Sequence, residues 1–114
     1  MSLKDTIQKI DALKSELDAL RPIKPEYEQR IRQKFRLDWT YHSNSIEGNT
    51  LTLQETQMVL QEGITVKGKS LREHFEAKNH EKAIHFLYDI ISDNYELRSI
   101  DVLSIHSLVL NMIE

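Results

Sequence analysis

Only 3 Gly and 2 Pro interrupt 114 residues, and this scarcity of breakers constrains the fold more than any other feature of the chain, because strands and loops need such residues between them. Chain reversals must be few and the elements long. With 39% apolar and 29% charged residues, long elements are amphipathic helices, and the expected fold class is all-α with about five helices. At 13.4 kDa the chain is one domain's worth of sequence, able to bury roughly two-thirds of its unfolded surface. Fifteen basic against 18 acidic residues leave a net charge of -3, which offers no field for a nucleic acid or an anionic membrane. There is no Cys, hence no disulfide framework, thiol nucleophile or thiolate metal site. No apolar run approaches the length of a signal h-region or a membrane span, so the expected location is the cytoplasm.

From Leu3 the apolar residues Ile7, Ile10, Leu13, Leu17 and Leu20 recur at three- and four-residue spacing, drawing one stripe along a helix that Arg21-Pro22 ends. The second helix opens with Pro25 at its first position and Glu26 and Glu28 beside it, where a missing amide costs nothing and negative charge suits the dipole. Tyr27, Ile31, Phe35, Trp39, His42 and Ile46 then share a face. The short turn between the two helices predicts an antiparallel hairpin over residues 1–35. Gly48-Asn49 closes the second helix, and Thr52 with Glu55 forms a capping box for a third that ends near Gly63. Ser70 with Glu73 repeats the device for a fourth helix, expected to reach Ser92. Ser99 is the expected N-cap of a fifth, in which Val102, Leu103, Ile105, Leu108, Val109, Leu110, Met112 and Ile113 are apolar almost all round. Such a helix implies burial on every side, yet its outer face finds no partner among these residues. The expectation is a piece of a larger domain.

Two tempting motifs fail on context. Gly63 to Ser70 reads GITVKGKS and fits the phosphate-loop pattern, but that loop works only between a buried strand and a helix, and the residues before Gly63 are helical in character. A helix-to-helix turn capped by Ser70 is the better reading. His80-Glu81-Lys82-Ala83-Ile84-His85 is a near miss to HExxH, with one residue too many, so the second imidazole lies about 140° round the helix from the first instead of about 40°. One ion cannot be chelated by both. His42, His74 and His106 have no partner at ligand spacing, which leaves surface or satisfied core roles. No nucleophile elbow and no distinctive carboxylate pair appear, so these residues contain no complete active site. The segment Thr40 to Asn49 is more informative. Ser43 and Glu47 stand four residues apart and so stack on one helical face, and Glu47 falls in the last turn. A carboxylate at the negative end of a helix dipole is disfavoured by about 0.3 to 1 kcal/mol unless a cation lies nearby. A solvated Glu ahead of a C-cap Gly is the alternative reading of the same residues.

Ser43-Asn44-Ser45-Ile46-Glu47-Gly48-Asn49 resembles the inhibitory motif [ST]xxxE[GN] of the Fic (Fido) family of protein AMP-transferases. The residues after it resemble that family's early core: Asn49 to Thr56, Gly68 to His74, Asn79 to Ala83 and Ile105-His106 come in the expected order. The likeness covers about residues 36 to 114, and residues 1–35 resemble the helical preamble of bacterial members. It implies three parts: a helical region at 1–35, the inhibitory helix end and turn at 36–50, and the start of a Fic-like core at 51–114. In the family, catalysis is implied to lie on a later motif, HPFx[DE]GNGRxxR, whose His acts as general base, whose acidic residue holds Mg²⁺ and whose remaining groups cradle the ATP phosphates. That motif is absent from this sequence, so no catalytic residue and no metal ligand is assigned and the enzymatic status of the chain alone is left open. The resemblance makes Glu47 the inhibitory glutamate beside the ATP γ-phosphate position, Ser43 the small hydroxyl residue that seats the helix, and Gly48 the turn residue after it. Glu47 would then pair with the last Arg of the missing motif, a charge-assisted bond worth about 1.5 to 3 kcal/mol. The implied partners are ATP, Mg²⁺ and a target protein bearing a hydroxyl side chain, all for the complete domain. Two other readings stay open: a free-standing antitoxin-like protein that supplies Ser43 and Glu47 in trans to a separate Fic toxin, and a helical module that forms a homo-dimer.

Overall fold

The computed structural model describes residues 2–91 and 95–113. They form five α-helices, α1 (Leu3–Ala19), α2 (Pro25–Ile46), α3 (Leu53–Glu62), α4 (Leu71–Ile90) and α5 (Ser99–Val109), and among the described residues no strand occurs. The all-α expectation holds. Ser92, where α4 was expected to stop, and Glu114 lie outside the described residues.

Helix starts obey local chemistry. Thr52 and Ser70 each accept from the backbone three residues on, at Glu55 and Glu73, and both capping boxes are complete. A third box, Ser2 with Asp5, opens α1; a search for Glu or Gln at the third position passes over it. Gly63 adopts φ 65 and its N–H bonds to the Met58 carbonyl, a left-handed C-cap of α3 that only a residue without Cβ takes readily. Two expectations for α5 need correction. Ser99 is its first helical residue and Arg98 its N-cap, because Asp101 reaches back to the Arg98 N–H at 2.9 Å while the Tyr95 hydroxyl donates to the same carboxylate at 2.6 Å. The helix also ends at Val109, short of Ile113: Asn79 on α4 donates its amide to the carbonyls of Val109 (3.2 Å) and Asn111 (2.6 Å), satisfying the orphan end, and Met112 turns to φ 63.

The chain divides into two compact units, Met1–Arg32 and Gln33–Glu114. In the first, no described residue is buried, and the apolar stripe of α1 lies open, from Leu17 at 46% to Leu3 at 77% exposed. The second unit holds the core: Leu51, Val59 and Ala77 with Leu60 and Val66 packed against them, together with buried Ala83 and Ile84. Several polar groups are buried with them, namely Thr40, Asn49, Thr56, His74, Asn79 and Asp101. The one residue α2 buries is Thr40, whose hydroxyl meets His80 Nδ1 at 2.9 Å. The face marked apolar by periodicity is therefore not the face α2 buries: Phe35, Trp39 and Ile46 are all exposed. Likewise Val102 and Leu103 on α5 are exposed, so the expected burial on every side of that helix is not met within these residues.

Candidate functional site

The end of α2 is built by three successive backbone contacts to its last turn. The N–H of Glu47 bonds to the Asn44 carbonyl, that of Gly48 to Ser45, and that of Asn49 again to Asn44 at 2.9 Å. These tighten the turn so that Glu47 is the first residue beyond the helix, and Gly48 supplies the positive φ of 101 that reverses the chain. Ser43 sits half-buried in the helix one turn earlier, at the edge of an open apolar groove of about 510 Å³ lined also by Phe35, Trp39, Ile46 and Tyr88. Glu47 itself is exposed, and its carboxylate has no hydrogen bond or ion pair among the described residues. Beside it, the buried Nδ2 of Asn44 has no acceptor among the described residues, a cost that native structures seldom leave uncompensated.

The residues just past the turn are anchored firmly. Asn49 is buried and donates to the Glu73 carbonyl and to Glu76 Oε1, both at 3.1 Å, while its own Oδ1 accepts from the Leu51 N–H at 2.9 Å. Thr50 gives its N–H (2.6 Å) and its hydroxyl (2.5 Å) to Glu73 Oε2, and the other Glu73 oxygen accepts from Ser70. So many donors favour the ionised form: the Thr50 hydroxyl above all, with the Thr50 and Ser70 N–H groups, holds the Glu73 carboxyl at about 2 against a partial opposition from burial. Lys69 completes the clamp, donating to the Thr50 carbonyl at 2.8 Å with Glu55 at 3.8 Å. Local sequence assigns Glu73 only its capping role. Its grip on Thr50 spans 23 positions, and no local pattern carries such a signal.

The histidines occupy separate environments. His74 is buried and bridges the Ser70 carbonyl (2.7 Å) and the Val66 N–H (2.9 Å). The carbonyl requires Nδ1 to donate and the amide requires Nε2 to accept, so the ring is the neutral Nδ1–H tautomer. His80 packs edge-on to Trp39 at 5.6 Å, and burial lowers its pKa. His85 lies 4.0 Å from Glu81 and His42 is exposed beside Tyr41. Among the described residues no three His, Asp or Glu converge as a metal set. The stretch Gly63 to Ser70 joins α3 to α4, helix to helix, with Ser70 as the cap. No helix among the described residues is long and apolar enough to cross a membrane.

No family model matches the chain. Individual proteins do. The chain is 40% identical over 84 residues to Protein adenylyltransferase fic-1 of Caenorhabditis elegans, covering 72% of this chain and 16% of that protein. It is 30% identical over 109 residues to Protein adenylyltransferase Fic of Drosophila persimilis, covering 94% and 22% respectively. It thus spans about a fifth of the length of these curated relatives. Among solved structures it is similar to Fic-1 from C. elegans (TM-score 0.82, 29% identity, 94% of this chain and 32% of that one). It is also similar to a Fic domain containing signaling protein from Bacteroides thetaiotaomicron (TM-score 0.80, 32% identity, 89% and 38%).

Proposed function

This chain belongs to the Fic family, and we propose that it is the N-terminal, self-inhibitory portion of a Fic protein adenylyltransferase, with Glu47 as the inhibitory group. The observation that carries this reading is the state of Glu47: an exposed carboxylate without a partner among the described residues, presented from a helix end whose following turn is locked by Asn49, Thr50 and Glu73. A negative charge at the negative end of a helix is held at a cost, and an arginine brought by the rest of the enzyme would relieve it. The unsatisfied Asn44 amide and the open groove beside Ser43 support the same view, since both suit a surface that further polypeptide covers. This reading assigns Mg²⁺ and the triphosphate to the remainder of a Fic enzyme.

The inhibitory step is electrostatic. Glu47 engages the guanidinium meant for the ATP γ-phosphate, and with that group occupied the nucleotide cannot adopt the pose for AMP transfer to a hydroxyl of the target protein. A bond of about 1.5 to 3 kcal/mol corresponds to roughly tenfold to a hundredfold in activity. In an enzyme carrying this chain, Glu47→Gly is expected to raise auto-AMP transfer from radiolabelled ATP by that factor. Unchanged label incorporation would overturn the assignment.

A further inference from the structure

Thr40 is the one residue that α2 buries, at 0% exposed, and it carries a hydroxyl into that setting. Thr6 and Thr56 donate their hydroxyls to the carbonyl four residues earlier. Thr40 instead has His80 Nδ1 on α4, 2.9 Å away, as its hydrogen-bond partner among the described residues. A buried hydroxyl must place its proton, and an unprotonated Nδ1 is the acceptor within reach. The bond therefore runs from the Thr40 O–H to His80, whose ring is neutral with its own proton on Nε2. That ring is half-buried and edge-on to Trp39 at 5.6 Å. No carboxylate stands by to support a charge on it. On α4, Glu76 accepts from Asn49 and lies 3.8 Å from Arg72, and Glu81 lies 4.0 Å from His85. On α2, Asp38 is 3.2 Å from Lys34, and Arg36, one turn before Thr40, is a cation. Of α3 and α5, which pack on α4, Glu55 lies near Lys69 and Asp101 is held by Tyr95 and the Arg98 N–H. Burial alone therefore acts on His80 and lowers its pKa.

We propose that Thr40 and His80 are positioning residues: their bond seats the end of α2 that carries Ser43 and Glu47 on α4 while His80 is neutral, and releases it when Nδ1 takes a proton. Protonation turns Nδ1 from an acceptor into a donor. The Thr40 hydroxyl, at a site with no exposure, then loses its acceptor, and a half-buried ring is charged with no anion beside it. Ser43 and Glu47 follow Thr40 by one and two turns of chain, so a loosened Thr40 loosens them. The turn past Gly48 stays tied to α4, because the Glu73 carboxyl, at about 2, remains ionised throughout the range in which a histidine titrates. The sign follows from the neutral ring that the fold prefers. An unperturbed histidine titrates at 6.5 and His80 lies lower, so the seat is complete above pH 6.5 and is lost as the pH falls through the lowered value. The regulatory consequence rests on the reading of Glu47 as the inhibitory group: with the seat released, the carboxylate is no longer held in place and inhibition weakens in acid.

Two measurements separate the seat from that reading. In NMR on the whole chain, His80 is expected to show the Nε2–H tautomer when neutral and to titrate below 6.5. The amides of Glu47, Gly48 and Asn49, which bond to the Asn44 and Ser45 carbonyls, report the helix end. Their protection against hydrogen exchange, corrected for the intrinsic rate, is expected to fall about threefold to tenfold between about pH 7 and pH 5. His80→Gln is expected to remove that fall. Thr40→Val keeps the branched shape without the hydroxyl, and is expected to start at the lower protection and change little with pH. Circular dichroism checks that both variants keep their helices. An Nδ1–H tautomer or a titration at or above 6.5 overturns the proposal, and both are read on the parent chain, whatever the variants do. A fall of equal size in His80→Gln overturns it too. In an enzyme carrying this chain, auto-AMP transfer by Glu47→Gly is divided by that of the parent at each pH, which cancels the pH dependence of the chemistry. The ratio is expected to shrink as the pH drops below 6.5. A large ratio that ignores pH overturns the proposal and leaves the Glu47 reading standing. A ratio near one at every pH overturns the Glu47 reading, and the regulatory role of the pair with it.

Discussion

Asn49 and Glu73 do more for the candidate site than their positions in the sequence suggest. Asn49 satisfies two acceptors on α4 and one donor on its own turn from a single buried amide. The reversal after Gly48 therefore has a fixed exit, and Glu47 is presented from a stiff turn. Glu73 ties Thr50 to α4 through two donors on one oxygen, while its other oxygen takes two more from Ser70. The folded-state carboxyl at about 2 lies below its ordinary 4.5, so the ionised form favours the fold. That contribution is complete above about pH 4.5 and fades as the pH falls toward 2. Glu73→Gln abolishes the titration, and the variant's urea midpoint is expected to lie below the parent's near pH 7 and to converge on it near pH 2. A constant gap between the two over that range would assign the destabilisation to packing instead. Ser43, Glu47 and Gly48 could be singled out from a short motif because the motif is contiguous, and their role is the proposal made above. Asn49, Thr50 and Glu73 as a clamp were not, because their partners meet only after α4 has folded back on the turn.

Among the elements, most helix starts and the glycine-closed ends of α2 and α3 obeyed local chemistry, and the end of α5 did not. Thr52 and Ser70 cap from residues three positions away, and the first Pro of α2 sits where its missing amide is harmless. By contrast α5 stops where Asn79, 30 residues earlier, takes up its terminal carbonyl. The connection between α3 and α4 shows the same contrast. Its sequence mimics a phosphate loop, while its shape is set by a histidine wedged beneath it, accepting from Val66 and donating to Ser70. His74→Ala is expected to cost about 1 to 3 kcal/mol by orphaning buried groups. It is also expected to raise hydrogen exchange at the Val66 amide by tenfold or more, with α3 and α4 still helical by circular dichroism. If the Val66 amide stays protected in that variant, the loop has another support.

For the whole molecule, burial is concentrated in one of the two units. Val59, Ala77 and Ile84 are nearly inaccessible, whereas α1 buries nothing. Native-state hydrogen exchange on dilute protein is expected to separate accordingly: the amides around Val59, Ala77 and Ile84 exchange slowest, by global opening, and those of α1 orders of magnitude faster, by local fraying. Equal protection in both units would contradict this division. The helical class, the number of helices and most of their starts were written in short-range chemistry, in capping residues, scarce breakers and three-to-four periodicity, which act within a turn or two of chain. Which helical face is covered was another matter. Periodicity reports that a face is apolar and is silent about what meets it, so the stripe of α1 and the row Phe35, Trp39 and Ile46 were legible as apolar faces and stand exposed. Polar Thr40, Asn49 and His74 lie buried instead, because each finds a hydrogen-bond partner that only the packing of distant segments supplies.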